Sequence, residues 1–148
     1  MQQTKVREAE MLEQIYKNVK MGADSILKIL SKVSDGKFKT DLTDQINGYE
    51  GLASKAKARL KELGVEAKEE GAMTKLWSSI GIAMNTLTDS TDSHLAQMVA
   101  EGSTMGITDG IKLLRENENC DVSEATLKLA REVISFEESN LERAKRYI

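Results

Sequence analysis

The chain contains no proline, and aromatic residues make up only 4% of its 148 positions. Proline breaks helix interiors, and strands draw on aromatic and β-branched side chains. These two scarcities, beside abundant Ala, Leu, Lys, Glu and Met, predict an all-α protein. The single cysteine, Cys120, excludes an intrachain disulfide and suits a reducing interior, so the expected location is cytoplasmic. No apolar run approaches the roughly 18 residues that a membrane span needs, so a membrane is not the expected environment. Met1 to Glu10 is too polar for a secretory signal. A net charge of −3 with mixed signs leaves no basic face for phosphates, and no nucleic-acid partner is expected. With one histidine, His94, and no strand to precede a phosphate loop, neither nucleophilic catalysis nor nucleotide binding is indicated.

What is present is helical periodicity. Leu12, Ile15, Val19, Ala23, Ile26, Leu30 and Val33 recur at three and four, forming one helical stripe. Ser34-Asp35-Gly36 supplies a turn. A second stripe runs through Phe38, Leu42, Ile46, Tyr49, Ala53, Ala56, Leu60 and Leu63 and is closed by Gly64. Two such helices with a short joint make an antiparallel hairpin at about 5–64. A second hairpin follows at about 92–148, with Asp92 or Ser93 as its first cap. Its first helix carries Leu95, Met98, Met105, Ile111 and Leu114, and Asn117 to Asp121 breaks it. Its last helix carries Leu127, Ala130, Ile134, Leu141, Ala144 and Ile148.

The two hairpins resemble each other. Met21-Gly22 and the eight residues after it lie over Met105-Gly106 and its successors, and Tyr49-Glu50 lies over Phe136-Glu137. The expected domain is therefore the whole of 1–148, a duplicated hairpin joined by a crossover at about 65–91. Within that crossover Met73, Leu76, Trp77, Ile80, Met84 and Leu87 share one face, which predicts a short extra helix at about 72–86. A continuous run into the third long helix is the alternative. The expected fold is a four-helix bundle.

Two similar hairpins joined by one long crossover resemble the ferritin-like superfamily. The stretch from Met84-Asn85-Thr86-Leu87-Thr88-Asp89 to Gly102-Ser103-Thr104-Met105-Gly106 is similar to a signature of uncharacterised bacterial ferritin-like four-helix-bundle proteins. The resemblance implies a di-metal centre with a Glu from each of two helices and Glu-x-x-His from each of the others. The sequence departs from that pattern, reading Glu50-Gly51-Leu52-Ala53 and Glu137-Glu138-Ser139-Asn140, with no histidine in either.

The expectation is therefore a bundle with no cofactor. It would be a self-associating structural or binding protein rather than an enzyme, with a homodimer as the expected assembly. Gly102, Gly106 and Gly110 recur every four residues, and with Trp77 they are the candidate contact surfaces, inside the bundle or between subunits. The alternative is a carboxylate-ligated metal-binding protein or oxidase holding iron or manganese on Glu50, Glu137, Glu101, Asp109 and Asp24. Glu137 falls in the apolar register of its helix, and a buried carboxylate must be paired, protonated or bound to a cation. Docking of Trp77 and its neighbours on a membrane surface is a third, less favoured reading.

Overall fold

The computed structural model describes residues 2–67 and 91–148, and all four helices among them are α-helices. They are α1 (Gln2–Leu30), α2 (Gly36–Glu62), α3 (Asp92–Asn117) and α4 (Glu124–Lys145). The extra helix expected at about 72–86, with Trp77, lies outside the described residues, as does the question of whether it continues into α3.

Helices α2, α3 and α4 each begin where a side chain satisfies a free N–H group. Asp35 caps α2 by accepting from Phe38 N, and Ser123 caps α4 by accepting from Thr126 N. Thr91, not Asp92 or Ser93, caps α3. Asp92 is otherwise engaged: its carboxylate accepts the N–H groups of Ser34 and Asp35 at 2.9 and 2.8 Å, fixing the start of α3 to the α1–α2 turn. α2 ends at Gly64, whose φ of +77° is the left-handed conformation glycine tolerates. Val65 N donates to Leu60 O across that turn, the six-to-one bond of a Schellman ending.

Long-range contacts set the topology. At one end Glu8 of α1 meets Arg59 near the end of α2 and Ser123 at the start of α4. There Arg7 also donates to Asn117 Oδ1, at the end of α3. At the other end the ring of Phe38 in α2 stacks on Tyr147 just beyond α4, centroids 4.5 Å apart. Thus α4 runs parallel to α1 while α2 and α3 run the opposite way, and α2 ends where α3 does. This is the crossover arrangement rather than four consecutive hairpin turns.

The core follows the expected stripes on α1 and α2, with Leu12, Val19, Leu42, Ala56 and Leu60 at 1% exposure or less. On α3 it does not. Ala96, Val99, Ser103, Gly110 and Asn117 are buried with Leu95, whereas Met105 stands 59% exposed and Ile111 37%. Small residues seven apart let α3 lie close to its neighbours, and the bulkier side chains expected inside are displaced to the flank. α4 keeps the expected stripe at Leu127, Ala130, Glu137 and Ala144, with Val133 and Asn140 buried beside it, while Ile148, expected in the stripe, lies beyond the helix and is exposed.

Candidate functional site

Glu137 is the chemically unusual residue of the interior. It lies on the buried face of α4 at 5% exposure, with Asn140 one turn later on the same face. Its Oε1 accepts a hydrogen bond from the Tyr49 hydroxyl of α2 and another, at 3.3 Å, from Asn140 Nδ2. Its Oε2 accepts none from the described residues and projects toward Gly106 of α3, where a Cβ would overlap it. Burial raises the Glu137 pKa to about 7, although both hydrogen bonds favour the carboxylate. Burial also raises Tyr49 well above the ordinary phenol, and the adjacent Glu137 charge adds to that rise.

The ring of Tyr49 is held from three sides. Phe136 meets it edge-on at 4.8 Å, Gly22 of α1 leaves room that a Cβ would take at 2.5 Å from the ring, and the core closes the rest. Gly22 faces Tyr49 as Gly106 faces Glu137.

Beside this group a cavity of about 410 Å³ opens between α1 and α3, with Tyr49 and Glu137 in its floor. Its walls are largely apolar, including Ile15, Val19, Ile26, Val99 and Leu113. Asn18, Ser25 and Ser103 add uncharged polar groups, and Glu101 and Asp109 stand exposed on its α3 side. Among the described residues no Lys, Arg or His lines it.

The candidate metal residues do not come together. Glu50 lies on the surface, paired with Lys20 Nζ at 3.2 Å. Asp24 is half-buried near it, with its pKa raised first by burial and further by the Glu50 charge, while Lys20 opposes the rise. Glu101 and Asp109 are exposed on α3. Of the three glycines read as one surface, Gly106 abuts Glu137, Gly110 abuts Ile134, and Gly102 is open, with nothing within 4 Å of a Cβ. Trp77 lies outside the described residues. Tyr49 and Asn140 were missed by the sequence reading. The signal for Asn140 was its place three residues after Glu137, where the metal motif has histidine.

Two solved structures share this architecture. Dps92 from Deinococcus radiodurans superposes with a TM-score of 0.75 at 14% identity, over 98% of this chain and 87% of that one. A dodecameric thioferritin, the bacterioferritin-related protein of Bacteroides fragilis, gives 0.73 at 11% identity, over 94% and 82%. The fold is ferritin-like. No protein-family model matches the sequence, and no curated protein does.

The ferritin-like neighbours correct one expectation. The absence of Glu-x-x-His motifs suggests no cofactor, yet one of these neighbours is a thioferritin, so the missing motif is no ground for a cofactor-free protein. The interior itself does not fit the di-metal centre of this fold. The buried faces give Glu137 and Asn140 on α4 and Tyr49 and Leu52 on α2, not the Glu-x-x-His pair that such a centre uses. The residues facing these from α1 and α3 are Gly22 and Gly106. One carboxylate with two hydrogen-bond donors on a single oxygen is not a two-metal ligand set, and among the described residues no three His, Cys, Asp or Glu side chains group together.

Proposed function

We propose that this chain is a self-associating ferritin-like binding protein of the cytoplasm that takes a small molecule into the space between α1 and α3. The observation that carries this reading is Glu137: a carboxylate buried in the bundle, held by Tyr49 and Asn140 through one oxygen, with no described donor on the other, in the lining of an apolar cavity. A volume of about 410 Å³ lies in the range of pockets that take drug-sized ligands. The four-helix hairpin pair, two copies of one unit in this reading, supplies rigid walls, and the role is binding rather than catalysis. In a thermal-shift screen of small amphiphiles, ligands that enter the cavity raise the melting temperature of wild type and not of Met98→Trp, which fills it. Equal shifts in both proteins refute the reading.

Self-association is supported by Leu27 and Met105, 56% and 59% exposed on α1 and α3. Apolar side chains of that size on neighbouring elements suit contact with a second copy. A dimer is the smallest such assembly, and the thioferritin neighbour is by title dodecameric. Light scattering across a concentration series checks this, and a monomer throughout refutes it.

A second reading, iron binding, is favoured by the thioferritin neighbour. Because no described group of three ligands exists within one chain, iron would be held by pooled surface carboxylates such as Asp24, Glu50, Glu101 and Asp109 from more than one copy. Elemental analysis of protein purified without chelator tests it. Stoichiometric iron that survives Glu137→Gln and is lost with Asp24→Ala and Glu50→Ala supports this second reading, and metal-free protein after iron loading refutes it.

A further inference from the structure

We infer that the cavity binds a cationic amphiphile, an apolar body carrying an ammonium headgroup, with the headgroup on Glu137 Oε2. This rests on the binding reading above and names the class of ligand.

Complementarity decides the class. The apolar walls call for an apolar body. The floor offers one acceptor open to a donor, because Oε1 is taken by Tyr49 and Asn140 while no described residue donates to Oε2. Gly106, lacking a Cβ, leaves the space that this oxygen occupies, and Glu137 lines the cavity. Among the described residues every charged side chain lining the cavity is acidic: Glu137 in the floor, Glu101 and Asp109 on the α3 side. A fatty acid or other anion would bring a second negative charge against Glu137 with no Lys or Arg among the described lining residues to offset it. A divalent ion would find one carboxylate where it needs six or more oxygens, and would leave the apolar walls without a partner. An alkylammonium satisfies both halves. Its N–H groups donate to Oε2, the charge pairs with the carboxylate in a site of low dielectric, and the chain displaces water from the walls.

Three probes of equal length separate the possibilities: decylammonium, decanol and decanoate, titrated below their aggregation limits by calorimetry at pH 8. Decylammonium should bind one per chain, about tenfold or more tighter than decanol, with decanoate weakest, as a charge-assisted bond in place of a neutral one implies. Glu137→Gln, which keeps the shape of the floor, should cut decylammonium affinity by about tenfold or more and leave decanol within a factor of about two. Met98→Trp should weaken all three. If decanol or decanoate binds wild type as tightly as decylammonium, the cavity is a ligand site but this inference is wrong. If none of the three binds, the binding reading itself falls. Should Glu137→Gln fail to fold, the order of the three probes on wild type and on Met98→Trp still decides.

Discussion

The Tyr49 hydroxyl donates to the Glu137 carboxylate across the middle of the bundle, joining residues 88 apart in sequence. The pair joins α2 to α4 and forms a hydrogen-bonded floor to the cavity between α1 and α3. Because Glu137 is raised and Tyr49 is raised further, the proton stays on the phenol and the carboxylate accepts.

The first prediction concerns pH. Glu137 titrates near 7 in the folded chain against an ordinary 4.5, so between those values the native state holds a proton the unfolded state has released. Stability then falls as pH rises from about 4.5 to 7, by roughly 3 kcal/mol for a shift of that size. Glu137→Gln should remove this slope, matching wild type near pH 4 and exceeding it at pH 8. Urea unfolding at the two pH values measures the difference, and parallel curves for the two proteins count against it.

Removing the Tyr49 hydroxyl should move the same group. Tyr49→Phe leaves Oε1 with Asn140 alone, so the Glu137 pKa should rise further, and the cost at pH 8 should be about 1–3 kcal/mol. Carboxyl titration by NMR together with denaturant unfolding reports both effects. An unchanged or lowered pKa would contradict the geometry.

At the end of the bundle where α2 and α3 finish, Glu8 accepts from Ser123 Oγ, from Thr126 Oγ1 at 2.7 Å and from Arg59 Nη2 at 3.2 Å, tying α1, α2 and α4 together. Burial raises its pKa, but the Ser123 and Thr126 hydrogen bonds and the Arg59 charge outweigh burial and hold it low. Its contribution is present above the ordinary carboxylate range and is lost as pH falls through the lowered value. Glu8→Ala should cost about 1–3 kcal/mol at pH 7 and much less at pH 2–3, read from melting curves.

The α3 glycines should part company. A Cβ on Gly106 overlaps the Glu137 carboxylate, so Gly106→Ala should destabilise by about 1–3 kcal/mol through overpacking. Gly102 is exposed and open, so Gly102→Ala should stabilise by about 0.5–1 kcal/mol through helix propensity. Opposite signs in paired unfolding experiments are the expected result.

The sequence alone determined the helices, most of their ends and the hairpin pairing, though not the Thr91 cap of α3. Proline is absent, apolar spacing is helical, and Asp35 and Gly64 carry local chemistry that acts within a few residues. It also marked Glu137 as a carboxylate in an apolar register. Only the tertiary structure decided what surrounds that carboxylate. The stripe on α3 can be read through Met105 and Ile111 or through Ala96, Ser103 and Gly110, and periodicity alone does not choose between them. Packing against α4 chooses the small residues, since only they allow the close approach. That choice brings Gly106 to Glu137, and the fold carries Tyr49 across from α2 while leaving Glu50 beside Lys20 at the surface. A one-residue step is about 100° around a helix, enough to exchange an interior hydrogen bond for a solvent ion pair.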